Sequence, residues 1–275
     1  MSKIFKNLAD PELPAAAEAN LSGEMACFGQ GLAGAELHED AELLWFYTGR
    51  PYLNGVLISH FLDEDPAYVD RRINETLDLF KARKVDFIGW SIGPSTRPAH
   101  LARQLEAHGF TYADKTIGMV ADIQAIGEEP VQLPPTFEIK EAEDAETLKN
   151  LRAIEIQGFD SKPEKAQNYY ECYVSIGFGA GKQWHHYLGW QDGVPVAMGS
   201  LFLHAGVAGI YGIATIPEAR RKGYGTIMTQ HILHEIRKLG YRIAVLSPTE
   251  MSENIYRRLG FQDYCTIRHY DRSLF

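Results

Sequence analysis

Cysteine is scarce in this chain. Cys27, Cys172 and Cys265 stand far apart with no Cys-x-x-Cys spacing, which excludes a disulfide-stapled scaffold and gives no sign of a thiolate metal site. A long apolar run is missing too: no stretch reaches the about 18 residues that a membrane-spanning helix needs. The opening "MSKIFKNLADPELP" carries acids and a proline before any apolar segment, unlike a secretory leader. A cytoplasmic protein that does not engage membranes is expected. Positive charge is also in deficit, with 27 Lys and Arg against 36 Asp and Glu and a net charge of −9. Such a balance opposes general binding to nucleic acid, whose phosphates attract basic surfaces.

What is present suits an ordinary folded protein. The 275 residues are 45% hydrophobic and 23% charged, enough to bury one large core or two smaller ones. The proline-rich stretch "GEEPVQLPPT", residues 127–136, reads as a linker and divides the chain into domains 1–130 and 131–275. After it, "FEIK" reads as a strand, and residues 144–159 read as a helix capped by Asp144 with Leu148, Leu151 and Ile154 on one face. Residues 183–217 hold apolar runs separated by "DG" and "AG" turns, the pattern of a three-strand meander. From Gly223 the period lengthens to that of a helix, with Tyr224, Met228, Ile232, Ile236 and Leu239 on one face and Gly240 as the stop. A buried strand "RIAVLSP", a short helix "MSENIYRRLG" and a last strand "DYCTIRHYDR" follow.

The first half repeats this order more weakly. Strands are expected at "LLWFYTG", "NGVLISHFL", "VDFIGW" and "TIGMVADI", with helices over residues 66–82 and at "AHLARQLEAHGF". Its ending, "LEAHGFTYADKTIGMVADI", parallels "YRRLGFQDYCTIRHYDRSL". That parallel reads as a diverged internal duplication. An α/β fold with two mixed sheets in tandem is implied.

The stretch that points to chemistry is "ARRKGYGT", residues 219–226. The first amides of a helix lack partners inside it and carry the positive end of its dipole. Glycines let that backbone approach a phosphate, and flanking cations add charge. Gly223 and Gly225 with Arg220, Arg221 and Lys222 therefore suit a pyrophosphate, although the local pattern alone also allows a solvated basic turn. The Arg-x-x-Gly-x-Gly pattern follows a buried strand, "IYGIATIP", and precedes "NIYRRLGF" by about thirty residues. In that order and spacing, residues 137–275 resemble the Gcn5-related N-acetyltransferase (GNAT) superfamily, and the tandem layout resembles bacterial members with a degenerate first half.

The resemblance implies an N-acetyltransferase that moves an acetyl group from acetyl-CoA, its co-substrate, to a primary amine by direct attack, without a metal. It implies that the backbone of Ile213, Ala214 and Thr215 runs beside the pantetheine arm. It assigns the pyrophosphate to Arg220, Arg221, Lys222, Gly223, Tyr224, Gly225 and Thr226. It makes Tyr256, four residues before Gly260-Phe261, the acid that protonates the departing thiolate; a tyrosine merely packed on a short helix is the alternative. Two positions depart from the family pattern. Tyr211 stands where many members carry a glutamate base, and a phenol with an ordinary pKa near ~10 is a poor base at neutral pH. Thr249 stands where an asparagine often contacts the cofactor.

Other residues invite readings that spacing does not support. "GFGAGKQ", residues 177–183, has Ile176 and Gln183 where a nucleotide-binding loop needs glycine and a hydroxyl, so it reads as a loop over the acceptor site. His231 and His234, followed by Glu235, have the wrong order for a zinc protease and read as solvated helix surface. His185 and His186 fall on opposite faces of a strand, and with His204 they are the imidazoles to consider as bases. The first half lacks a basic glycine loop, having "EDPAYVDRRINETL" instead, and Leu105 occupies the position matching Tyr256. Alternatives in function are a non-catalytic acyl-CoA sensor or interaction module and a transferase of longer acyl groups. The acidic composition favours a cationic small acceptor such as a polyamine, aminoglycoside or amino-acid amine.

Overall fold

A computed structural model describes residues 3–127 and 132–275. The expected boundary between residues 130 and 131 lies outside the described residues. In chain order the elements of the first half are α1 (Leu13–Gly31), β1 (Glu36–Glu39), β2 (Leu43–Tyr47), β3 (Gly55–Ser59), α2 (Pro66–Ala82), β4 (Phe87–Ile92), α3 (Leu101–Ala107) and β5 (Thr111–Asp122). The second half continues with β6 (Phe137–Glu141), α4 (Ala145–Phe159), α5 (Pro163–Ile176), β7 (Trp184–Gln191), β8 (Val194–His204), β9 (Val207–Thr215), α6 (Tyr224–Lys238), β10 (Ile243–Leu246), α7 (Glu253–Arg258) and β11 (Gln262–Ser273).

Local chemistry accounts for most of these boundaries. Asp65 accepts from the amides of Ala67 and Tyr68 and Pro66 opens α2, whose buried stripe is Val69, Ile73, Leu77 and Phe80. Asp144 caps α4 by accepting from the Thr147 amide at 2.7 Å. The β7–β8 and β8–β9 turns place Asp192, Gly193, Ala205 and Gly206 at positive φ, the twist that two-residue hairpin loops require. Met228, Ile232 and Ile236 of α6 are buried as expected, but Leu239, which the period puts on the same face, is 44% exposed because α6 ends there.

The strands form one eleven-stranded sheet in the order β1-β2-β3-β4-β11-β5-β10-β9-β8-β7-β6. The last strand of each half therefore lies next to the other half. β11 pairs antiparallel with β4, and β5 pairs antiparallel with β10. Between them β5 and β11 pair with each other from Gln262↔Val120 to Asp271↔Thr111. Each follows a Gly-Phe step whose phenylalanine, Phe110 or Phe261, is buried.

Helix α1 and strand β1 have no counterpart in the sequence reading. Apolar, small and polar residues are buried all around α1, among them Leu13, Ala17, Glu18, Asn20, Leu21 and Phe28, so no one-sided stripe marks it. The helix spans both halves. Its Asn20 Nδ2 donates to the carbonyls of Phe202, His204 and Val207 at 3.1–3.3 Å, and its Glu18 accepts from the Ser95 amide at 2.6 Å. With α4 and α5 it builds one core against the sheet; α6 and α7 pack a second core, and α2 and α3 a third.

Removing residues 1–136 takes β5 from between β10 and β11 and α1 from over β8 and β9. A chain of residues 137–275 is expected to be aggregated or oligomeric in size-exclusion chromatography, because unpaired edges and uncovered apolar surface seek new partners. A monomeric fragment with an intact melting transition would contradict this.

Candidate functional site

Strands β9 and β10 are paired in parallel only at Ala208↔Ala244 and Gly209↔Val245. Beyond Gly209 they part. A register shift between Met198 and Ser200, opposite Ala214 and Tyr211, marks a bulge in β9, where Gly212 takes φ +60°. The bulge keeps β8 paired on one side, while Ile213, Ala214 and Thr215 turn their other edge toward the opening between the two strands.

The chain then makes a short 3₁₀ turn, Pro217–Ala219, and reaches the basic loop. Arg221 (φ +64°) and Gly223 (φ +85°) both take left-handed backbone, a conformation that costs a non-glycine residue about 1–2 kcal/mol. No side chain caps α6 at Gly223, and the Ile227 amide donates to Gly223 O at 3.0 Å. A Cβ built on Gly223 would meet nothing within 4 Å, and one on Gly225 would meet only Ile213 Cγ2 at 3.8 Å. The start of a 15-residue helix is thus uncapped, open and beside the parted strand, the arrangement that suits an anion.

The expected site residues divide by what their side chains do. Arg221 and Lys222 are exposed. Arg220 donates through Nη2 to Gly158 O at 2.7 Å and through Nε to Thr215 O at 3.2 Å, so its guanidinium ties the last turn of α4 to the end of β9. Tyr224 is buried; its ring stacks on Phe137 at 4.3 Å and its hydroxyl donates to Gln191 Oε1 at 2.6 Å. Its amide, with those of Gly225 and Thr226, belongs to the first turn of α6. One turn further on, Thr229 Oγ1 donates to Gly225 O at 2.9 Å, and the Thr229 hydroxyl also bonds the Tyr256 phenol. Burial pushes that phenol up to about 12, with the Thr229 bond opposing the rise. The series Ile213, Gly225, Thr229, Tyr256 joins strand, loop and tyrosine. Thr249 lies instead in the turn that leads into α7, its amide donating to Ser252 Oγ at 3.0 Å.

The imidazoles separate as their alternation predicts. His186 is buried beneath α5, with its ring 4.1 Å from Tyr173 and Nδ1 bonded to Ser200 Oγ at 2.8 Å; burial drives its pKa down to about 3. His185, on the other face, is raised by its 2.7 Å bond to Glu141. His204 is lowered by burial. His231 is half-buried rather than solvated, packing edge-on against Tyr187 at 4.9 Å, whereas His234 is exposed. Tyr211 Oη donates to Asn20 O and Oδ1 at 3.0 and 2.8 Å, and burial holds it far above the ordinary phenol range. It is a locked donor, not a base.

Two carboxylates not read from the sequence as functional sit on this same side of the sheet, Glu24 on α1 and Glu155 on α4. Glu155 lies one turn before Gly158, whose Cβ would stand 2.8 Å from Ala214 Cβ. A 730 Å³ cavity bounded by Ile139, His231, His234 and Leu259 flanks the far end of α6, away from the basic loop.

Residues 148–261 match the model of the acetyltransferase (GNAT) family. They form a GNAT domain. In fold the whole chain is similar to a GCN5-related N-acetyltransferase from Kribbella flavida, at 19% identity over 93% of this chain and 95% of that one, with a TM-score of 0.69. It is similar to a tandem GNAT protein from the clavulanic acid biosynthesis pathway at 13% identity, 99% and 98% coverage and a TM-score of 0.67. It is also similar to a GCN5-related N-acetyltransferase from Sphaerobacter thermophilus at 14% identity, 100% and 95% coverage and a TM-score of 0.64. No curated protein matches the chain. The tandem mixed α/β fold of the GNAT type is thereby shown, and the family is one of acyl transfer. Among the described residues no helix is long and apolar enough to cross a membrane.

The histidine assignments are measurable. In an NMR titration the His186 ring is expected to stay neutral down to about pH 4, while His185 takes up its proton above pH 6.5. For His186 the folded value is the depressed one, so its contribution to stability is present above pH 6.5 and is lost as pH falls toward 3. A His186 resonance that titrates near neutrality would remove this picture of the buried face.

Proposed function

We propose that the GNAT domain transfers an acetyl group from acetyl-CoA to a primary amine by direct attack, and that residues 131–275 are the working domain and residues 1–130 a degenerate one. The observation that carries this reading is the uncapped start of α6 at Gly223 and Gly225 beside the parted strand β9. Acetyl-CoA supplies the activated acyl group as a thioester. The amides from Arg221 to Thr226 hold the pyrophosphate, aided by the helix dipole and the screened charges of Arg221 and Lys222. The free edge of Ile213, Ala214 and Thr215 bonds the pantetheine arm as a further strand would, and its amides polarise the carbonyl under attack. Tyr256, whose phenol keeps its proton throughout the neutral range, protonates the leaving sulfur.

The first half supports the idea of a single working site. Its strands β3 and β4 part after only Gly55↔Gly89 and Val56↔Trp90, the same pattern as β9 and β10. There, however, the chain fills its own gap. Arg97 runs alongside as a parallel bridge to His60, its amide donating to Ser59 O at 3.0 Å and its carbonyl accepting from Phe61 at 3.1 Å. The Asp65 carboxylate caps the following helix, α2, leaving its first turn with an anion already in place.

Calorimetry is expected to give one acetyl-CoA per chain. Gly225→Val should weaken that binding by more than about tenfold while the fold survives, since a Cβ there meets only ordinary contact from Ile213. Unchanged affinity would remove the main support for the reading. Tyr256→Phe should lower kcat on the order of 10²-fold with acetyl-CoA affinity little changed. Binding without turnover of any amine would favour the non-catalytic acyl-CoA sensor, and tighter binding of longer acyl-CoA thioesters would favour a transferase of those groups.

A further inference from the structure

We infer that the acceptor is held as a cation between Glu24 of α1 and Glu155 of α4, and that Glu24, contributed by the degenerate half, takes the proton its ammonium must lose. This rests on the transferase reading above and supplies the base that β9 lacks.

The two carboxylates approach the acyl strand from different elements. Glu155 is 8% exposed and accepts from Ser161 Oγ at 3.1 Å; the next turn of its helix touches Ala214 and Thr215. Glu24 is half-buried, one helical turn beyond Asn20, the residue that fixes Tyr211 on β9. The Tyr211 phenol is thus fixed by α1, and the same helix carries a carboxylate to that side of the sheet. Helix α1 is held against α5 by Phe28 on Tyr169 at 4.8 Å and by Cys27 Sγ at 3.2 Å from Cys172 Sγ.

A second observation points to a ligand in the same layer. His186 is 2% exposed, faces α5, and has an Nε2 without a hydrogen-bond partner. Its strand neighbours across the sheet are Ser200 and then Tyr211. Aromatic faces surround it, with Tyr173 5.0 Å from Trp184 and Trp184 stacked on His186 at 5.7 Å. Carboxylates, π faces and a neutral imidazole together recognise an amine bearing positive charge.

Titration fits the assigned role. Burial raises the Glu24 carboxyl to about 7; Glu155 adds to the rise and Lys165 of α5 opposes it. The other titratable groups facing it, the phenols of Tyr169, Tyr173 and Tyr211 and the thiol of Cys27, are held protonated by burial. Glu24 is therefore poised to change charge near neutral pH, as a general base requires. In the step, the ammonium gives one proton to Glu24 and the neutral nitrogen forms a bond to the thioester carbon. The C–S bond breaks, and the sulfur takes the Tyr256 proton. The second proton lost by nitrogen restores Tyr256, and Glu24 releases its proton to solvent.

The test uses the full chain, acetyl-CoA, and a panel of polyamines, aminoglycosides and amino-acid amides, with free thiol as the readout. The wild type is expected to lose rate below about pH 7, and Glu24→Gln to abolish that fall, to lower kcat/KM for the amine by about 10²-fold and to leave the KM for acetyl-CoA unchanged. Glu155→Gln should raise the KM for the amine. Melting supplies a readout independent of turnover. A carboxyl at about 7 when folded against 4.5 otherwise makes stability fall as pH rises between those values, so Glu24→Gln should match the wild type at pH 4 and melt at or above it at pH 8. Wild-type kcat/KM and pH profile in Glu24→Gln, or a lower melting point at pH 8, would overturn this inference alone. Acetyl-CoA binding with no amine turned over by the wild type would overturn the transferase reading, and this inference with it.

Discussion

Most of this structure depends on the backbone seam between β5 and β11. Each strand needs partners on both edges because its amides and carbonyls are covered by neighbouring layers. Each finds one in its counterpart and the other in the opposite half, β10 for β5 and β4 for β11. The halves are consequently two ends of one sheet and not beads on a string. That seam also fixes where α1 lies, since the helix can reach Ser95 with Glu18 and the carbonyls of β8 and β9 with Asn20 only if the two sheets share a frame.

Within that frame the same local feature occurs twice with opposite occupancy. Two parallel strands part after two residue pairs at β3–β4 and at β9–β10. In the first half the backbone around Arg97 and the Asp65 cap satisfy the groups so exposed. In the second half the loop runs from Arg220 to Gly223 without a capping side chain. A carboxylate cap and a bound phosphate are alternative ways of satisfying one set of amides.

The anchoring around the open gap is unequal. Tyr224 is bolted to β6 and β7 through Phe137 and Gln191, and Arg220 clamps α4 to β9 through two carbonyls. These contacts hold the loop and β9 in register without using the loop's own amides. A side chain that motif spacing assigns to an anion thus has its guanidinium committed to carbonyl oxygens.

The sequence by itself determined those features whose causes are local. Capped and striped helices such as α2, α4 and α6 were legible, as were the Asp192-Gly193 and Ala205-Gly206 hairpins and the glycine loop at a helix start, because each depends on neighbours within a few residues. Helix α1 was not legible, since a helix buried on nearly every side has no polar face to reveal its period. The end of α6 at Leu239 and the half-burial of His231 likewise depend on what packs nearby. Tertiary structure alone decided which half receives β5 and which receives β11, because strand pairing is set by edges that become available only when both halves have formed. It also decided that Glu24, distant from the GNAT motifs in sequence, stands with Glu155 on the side of the sheet where β9 has a locked phenol in place of a carboxylate.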